Sequence, residues 1–600
     1  MRIVKILAVL VVAGLANLAF WAIPNQPVPL EAPPGGKLKS VSFAPFRDGQ
    51  SPLTGVLPSP QQIEEDLVAI APQVAGIRTY TSLEGMQVVP ELARKHGFQV
   101  TMGAWLSPRM DKNEEEIASL IDLANRYPDV ITRVIVGNEV LLRRDLKVDQ
   151  VIGYIDRVKA AIKQPVSYAD VWEWWLKYPQ IADHVDYLTI HLLPYWEDVP
   201  AGVGGAMERI RHSYHVIAER FPDKPILVGE TGWPTAGRTR GAAEPGLVNK
   251  ARFINGFVRL AEQEGFDYNV IEAFDQNWKA KLEGTVGAHW GLYDSDRMAK
   301  FSLAGPVIEN PQWPIYAAVS GAAALLLWGG LMLAGPRLSA GGAGALALLA
   351  TGLTALFARA VHVALHGKQY WHDLTLAGVM LALTAVLSIV VLIAARRAVE
   401  GGGLPLEPLA GLRGRQALSR TESLGRVAAL TLGAVALAWS LLIVFDGRYR
   451  DFPNAYMAIP VLGLLGLGLI RAWRRPEDTG ALGAFAIGAL FRPAVAMPSG
   501  PARTLCGAVR AMPLEAALAV GLLSGAILTV LAEGVVPMES LIYGQLPFME
   551  ALREVDWTLP NWEALSWALL QALLAVPFAA PLLAARQDNR ARTGQWARAS

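Results

Sequence analysis

The chain has 600 residues, 52% of them hydrophobic and only 18% charged, with a formal net charge of +1 and a mean hydropathy of +0.30. Soluble domains carry about 25% charged residues, so this balance excludes a wholly soluble protein and points to a membrane protein with a soluble part. No basic patch with interleaved aromatics is present, so no nucleic-acid partner is expected. The single cysteine, Cys506, excludes a disulfide framework, and the nine histidines form no HExxH pattern, so neither a metal nor another cofactor is expected.

The N-terminus places Arg2 and Lys5 ahead of an apolar run from Ile6 to Ile23. Flanking positive charge favours a cytoplasmic N-terminus, and the run is just long enough to span a bilayer. Residues 1–24 therefore read as an uncleaved signal anchor, with a cleaved signal peptide as the alternative. Either way the following segment is exported. Residues 25–39 are rich in Pro and Gly, too poor in pattern to fold and suited to tethering.

From residue 40 to 310 short apolar runs alternate with amphipathic stretches. Strand candidates are KSVSFAPF, VAGIRTYT, FQVTMGAWL, TRVIVGNE, QPVSYADV, VDYLTIHLL, KPILVGET and YNVIEAFDQ. Helical spacing marks SPQQIEEDLVAIAP, KNEEEIASLIDLANRYP and NKARFINGFVRLAEQEG between them. The first of these should start with Ser59 as N-cap, Pro60 at the first helical position and Gln62 closing a capping box. Eight such units match the size of a closed (β/α)8 TIM-type barrel. An open doubly wound sheet is disfavoured because no GxGxxG follows the first strand.

Residues 311–600 read as a polytopic all-α membrane domain. Spans are expected near 313–336, 338–358, 374–395, 427–445, 452–470, 514–532 and 564–585, while 480–491 is too short to cross. With the N-terminus inside, the loops and tail predicted inside carry seventeen arginines, and the outer loops carry four basic residues, Lys368, Arg448, Arg450 and Arg553. The topology is one N-terminal and seven C-terminal spans, with both ends cytoplasmic and the barrel outside. Arg359, His362, His366 and His372 cluster at the outer end of one span, where snorkelling to the interface accounts for them better than a metal site.

The chemistry should sit where barrel strands end. The fourth strand candidate ends in Gly137, Asn138 and Glu139, and the seventh ends in Glu230 followed by Thr231, Gly232, Trp233 and Pro234. Carboxyls from two strands of one barrel can converge on one bond. Retaining glycosidases need such a pair about 5–5.5 Å apart, one donating a proton and the other attacking the anomeric carbon. An aromatic such as Trp233 beside the nucleophile would offer a sugar ring a flat apolar face.

VGNEV followed by GETGWP on strand ends of an eightfold barrel resembles glycoside hydrolase family 17, the β-1,3-glucanase and glucanosyltransferase family, in its bacterial membrane-anchored form. The resemblance covers residues 40–305. It implies that Glu139 is the general acid/base, that Glu230 is the nucleophile and that Asn138 hydrogen-bonds the substrate's 2-hydroxyl. It also carries over Trp278 and Lys279 from FDQNWK, where Gln276 and Asn277 depart from the expected form. Phe43 and Asp48 fall in a segment resembling the family's first strand and loop, with a turn role for Asp48 as the alternative.

Other strand ends supply Tyr80, His191 and Tyr195 as substrate-binding or orienting candidates, against rim packing for Tyr80 and a satisfied core position for His191. Trp105, Trp172, Trp174, Trp175, Trp278 and Trp290 fall near strand ends, where they would stack on sugars or pack beneath loops. The expected enzyme is a glycosidase or transglycosylase acting on a β-1,3-glucan, on the periplasmic side of a bacterial inner membrane. Its expected partners are the glucan, the lipid bilayer and a glucan synthase. The alternative is a catalytically silent glucan-binding barrel coupled to an export partner.

Overall fold

A short strand, β1 (Val28–Leu30), pairs antiparallel with β10 (Gly305–Val307), so residues 25–39 are not the unpatterned tether expected from their Pro and Gly content. Three backbone pairings, Val28 with Val307, Pro29 with Pro306 and Leu30 with Gly305, make the difference; a two-stranded ribbon tolerates proline because each strand has a free edge. The computed structural model describes residues 2–33, 35–335, 338–367, 371–400, 420–445, 447, 449–474, 482–490, 505–534 and 561–596.

Between β1 and β10 lie eight parallel strands: β2 (Val41–Ser42), β3 (Gly76–Arg78), β4 (Gln99–Ala104), β5 (Ile131–Asn138), β6 (Val166–Val171), β7 (Leu188–His191), β8 (Ile226–Glu230) and β9 (Asp267–Tyr268). They pair in unbroken sequential order. The Ser42 amide donates to Val270 O at 2.9 Å and the Val270 amide to Ser40 O at 3.0 Å, which joins the last strand to the first. The sheet thus closes as the expected TIM-type barrel.

Its core is filled by Val41, Ile77, Val100, Val134, Val166, Ile190 and Val228, all fully buried. β-Branched side chains suit these positions because the pleat presents them alternately to the barrel interior and to the surrounding helices. The helix Pro60–Ile70 starts as anticipated: Ser59 accepts from the Gln62 amide, and the Gln62 side chain returns the bond to the Ser59 amide. Gly265, at φ +74, ends the helix Leu247–Glu264 in the left-handed conformation.

The eighth strand is shorter than the run YNVIEAFDQ. Its backbone groups divide between two neighbours. Val270 and Ala273 bond to residues 40 and 42, whereas Glu272 and Asp275 donate to Trp290 and Tyr293. A segment shared in this way cannot keep a regular ladder.

Residues Met1–Gln26 and Asn310–Ser600 form a second unit, separate from Pro27–Glu309. Among the described residues, eight helices are long and apolar enough to cross a membrane: Ile3–Asn25, Trp313–Leu333, Ala340–Leu365, Leu374–Glu400, Ser423–Phe445, Asn454–Arg474, Pro513–Glu533 and Trp562–Leu583. Of the run 480–491, residues 482–490 are described, with a helical turn at Ile487–Leu490. His362 packs edge-on against Tyr316, with ring centroids 5.1 Å apart, and Arg359 is exposed. The side chains of His366 and His372 lie outside the described residues, as do many of the arginines behind the topology, among them Arg337, Arg413, Arg415, Arg475, Arg492, Arg503 and Arg598.

Candidate active site

Two irregularities in strand register set the aim of the paired carboxyls. Between β7 and β8 the pairing jumps from Ile190 with Val228 to His191 with Glu230, leaving Gly229 as an extra residue. A Cβ on Gly229 would lie 2.3 Å from Thr189 Cγ2, so only glycine lets the strands approach there. A second shift separates Ile135 from Asn138 where β5 meets β6. Within it Gly137 has φ +90, and just beyond it Glu139 has φ +50, an uncommon conformation for a non-glycine residue. The Glu139 amide bonds to Ala169 O, the Glu139 carbonyl accepts from the Arg143 amide, and the Arg143 guanidinium grips Asn138 O. This strained turn is held from three sides.

The register shifts bring Glu139, His191 and Glu230 together. One carboxylate oxygen of each glutamate and a ring nitrogen of His191 all lie within 4.8 Å of one another. His191 Nδ1 is 2.8 Å from Glu139 Oε1, and its Nε2 is 3.5 Å from Glu230 Oε1. Arg78 Nη1 stands 3.4 Å from Nε2. His191 Nδ1 thus meets Glu139, while its Nε2 faces both the Arg78 guanidinium and the Glu230 carboxyl.

Arg78 is fully buried and ties the two carboxyl-bearing strands. Its Nη2 donates to Asn138 Oδ1 at 2.6 Å, and its Nη1 donates to Gly229 O at 2.7 Å and faces Glu230 Oε1 at 3.4 Å. The Tyr80 ring lies under the guanidinium with its centroid 4.9 Å away, and the Tyr80 hydroxyl donates to Ser42 Oγ at 2.9 Å. Burial, with the Glu230 charge adding to it, holds this phenol well above its usual pKa, so it remains a neutral donor.

The electrostatics distinguish the groups. Burial pushes Glu139 up, but the hydrogen bond and charge of His191, with the charges of Arg143 and Arg78, outweigh it and bring its pKa below the ordinary value. The open cleft therefore favours ionised Glu139, whereas a proton donor was expected to be held protonated. Behind it, buried Asp170 is pushed up to about 7 by burial and by the Glu139 charge, against the pull of the Tyr168 hydroxyl that bonds to it. The same hydroxyl accepts from the Leu141 amide at 3.0 Å and so steadies the turn after Glu139.

The remaining candidates divide. His191 and Asn138 are in the cluster, and Tyr80 borders it. Lys279 bonds both oxygens of buried Glu272, at 3.1 and 2.9 Å. Trp278 is half-buried, edge-on to Phe46, with its indole N–H on Gln276 Oε1 at 2.9 Å. Phe43 is buried against Phe274, and Asp48 bonds Asn277.

Trp233 and Tyr195 do not offer the substrate-binding faces expected of them. Both are fully buried and meet edge to face, 6.2 Å apart. The Trp233 indole donates to Glu244 O, and the Tyr195 hydroxyl donates to Arg238 O. They brace the loops that follow β7 and β8. Of the VWEWW tryptophans, Trp175 is buried with its N–H on Thr189 O, and Trp174 stacks on Tyr178.

Arg78, Arg143, Asp170 and Glu272 were not anticipated. A charged residue inside an apolar strand run, as in GIRTY, SYADV and VIEAF, is the signal that could have found three of them. The partners of Arg78 come from other strands, so spacing along the chain does not show that pairing.

Two carboxylates and an imidazole could also ligate a cation. Here the Arg78 guanidinium already faces the same Glu230 oxygen, so an added cation would meet a fixed positive charge. Two carboxyls this close leave no room for the intervening water that inverting glycosidases require, where the separation is about 6.5–9.5 Å. The arrangement suits direct attack by one carboxylate while the other handles the proton.

The barrel is similar to known proteins. Residues 40–291 match the family model described as the BtgE/BtgC glycoside hydrolase domain. A glucan 1,3-beta-glucosidase of Arthroderma benhamiae is 29% identical over 264 residues, covering 40% of this chain and 83% of that protein. One from Saccharomyces cerevisiae is 23% identical over 295 residues, covering 44% and 92%. Among solved structures, the glycoside hydrolase family 17 β-1,3-glucanosyltransferase of Rhizomucor miehei is 24% identical with a TM-score of 0.40, covering 44% of this chain and 97% of that one.

Proposed function

We propose that this barrel, whose residues 40–291 match the BtgE/BtgC glycoside hydrolase domain, is a retaining β-1,3-glucan hydrolase or glucanosyltransferase of the family 17 type. The observation that carries the reading is the approach of Glu139 and Glu230 to within 4.8 Å across a shared histidine. Glu230, set beside Arg78, is the nucleophile: its carboxylate attacks the anomeric carbon and forms a glucosyl-enzyme. Glu139 gives its proton to the departing glucan oxygen, then removes a proton from the incoming water or sugar hydroxyl. Seating a glucan over the cleft adds to burial, the one influence that already raises Glu139, and so favours the protonated donor. In the second step the ionised form preferred by the open cleft is the one required. Asn138, held by Arg78, is placed to meet the sugar's 2-hydroxyl.

The eight candidate spans support a multi-pass membrane protein, and the arginine asymmetry supports a barrel on the outer, periplasmic face of a bacterial inner membrane. We infer a role in remodelling an exported glucan, with a glucan synthase as the partner that would supply it. Product analysis of the full-length chain with a laminari-oligosaccharide tests the reading. Products longer than the substrate show transfer, shorter products alone show hydrolysis, and retention predicts a β-anomer as the first product. Absence of turnover would leave only the glucan-binding alternative.

A further inference from the structure

Glu272 is fully buried at the mouth of the eighth strand, outside the carboxyl pair. Both of its oxygens are occupied by one ammonium, that of Lys279, at 3.1 and 2.9 Å. Lys279 stands on a three-residue 3-10 turn, Asn277–Lys279, in the loop after that strand. A lysine has four rotatable bonds, and such a turn does not by itself fix where its charge ends. The Glu272 backbone is immobile by comparison: its amide bonds Trp290 O, and its carbonyl accepts from the Leu292 amide.

We propose that Glu272 is a positioning residue that clamps the Lys279 ammonium in the loop after β9, where its charge stabilises the ionised nucleophile Glu230. This inference rests on the reading of Glu230 as nucleophile. The charges around the pair are consistent with it. Lys279 feels Glu272, Glu283 and Glu230, and together these outweigh its burial and keep it protonated. Glu272 is pushed up to about 7 by burial, opposed by Lys279 and aided by Glu283 and Asp275. Glu230 itself is faced by Arg78 at the end of β3, Tyr80 just beyond it, His191 from β7, Glu139 beyond β5, Lys279 from the turn after β9 and Glu283 from the helix Ala280–Ala288. Without its clamp the ammonium is free to turn to water, and Glu230 keeps only Arg78 and His191.

The test uses the full-length chain in detergent and two substrates, a laminari-oligosaccharide and an aryl β-laminarioside whose leaving group needs no proton. Glu272→Gln and Lys279→Met should each lower kcat/KM on the aryl substrate by on the order of tenfold. Each should move the acidic limb of its pH profile upward, and the double variant should be no worse than Lys279→Met alone. Lys279→Met leaves the buried carboxyl in place and is the check should Glu272→Gln fail to fold. Three results would overturn the inference: an acidic limb that moves downward in Glu272→Gln, as loss of a mere negative neighbour would cause; losses that multiply in the double variant; or normal turnover by Lys279→Met. An unmutated chain that turns over neither substrate removes the nucleophile reading itself, and this inference with it.

Discussion

His191 Nδ1 lies 2.8 Å from Glu139 Oε1, and the opposite nitrogen of the same ring faces Glu230 Oε1 at 3.5 Å. One fully buried imidazole thus touches both carboxyls. It couples the proton balance of one to the field felt by the other.

A pH dependence follows. In the proposed mechanism the first chemical step needs protonated Glu139, so kcat/KM should fall as pH rises through the lowered Glu139 pKa. In His191→Ala the hydrogen bond and charge that lower this pKa disappear and burial prevails, so the alkaline limb should move to higher pH. A kcat/KM profile on a natural glucan measures this. An unmoved limb would show that His191 does not set the Glu139 proton.

The two glutamates should fail differently. Glu230→Gln should lose turnover by at least about a thousandfold while still binding laminaritriose by calorimetry. Glu139→Ala should keep activity on an aryl substrate with a good leaving group, and added azide should restore its second step, yielding a β-glycosyl azide. An α-azide from Glu139→Ala would reverse the assignment.

Arg78 makes polar contacts to Asn138, Gly229 and Glu230 from a fully buried site. Arg78→Met leaves the buried Glu230 carboxylate without its guanidinium and should cost roughly 3–5 kcal/mol of barrel stability. Arg78→Lys keeps the charge but cannot span Asn138 and Gly229, so activity should fall with a smaller loss in melting temperature. Equal melting temperatures for the three proteins would contradict this account.

Glu116 binds the loop after β3 through the Thr81 and Ser82 hydroxyls and the Ser82 amide. Burial pushes it up from 4.5 to about 7, against those hydrogen bonds. A carboxyl raised on folding contributes its full stabilisation below its unfolded value. That contribution fades as pH climbs through the folded one. Barrel stability should therefore decline between about pH 4.5 and 7, by up to about 3 kcal/mol from this group. Glu116→Gln, an isostere of the protonated form, should flatten that decline in thermal melts.

Within the helical unit, Asn17 Nδ2 donates to Ala317 O at 2.8 Å and Asn17 Oδ1 accepts from Ser320 Oγ at 2.8 Å, while Trp21 stacks on Tyr316. Asn17→Leu should loosen the helix Arg2–Ala22 from the helix Trp313–Leu333 by about 1 kcal/mol. Cross-linking between cysteines placed on the two helices reads the change. Undiminished cross-linking would mean that the apolar contacts alone hold the pair.

The sequence alone determined what depends on local periodicity and on residue type at an element's end. The eight barrel strands, the Ser59–Gln62 capping box, the eight apolar helices and the two Glu-bearing strand ends were all legible, because each is written into neighbouring residues. The tertiary structure decided which groups share space. Arg78 lies 60 residues from Asn138 and 152 from Glu230, and only barrel closure makes it their common partner. Burial likewise withdrew Trp233 and Tyr195 from the cleft, although each follows a strand end as a sugar-binding aromatic would. The same long-range packing set the open-cleft charge of Glu139, since a carboxyl's pKa reports its neighbours in space and those neighbours sit on other strands.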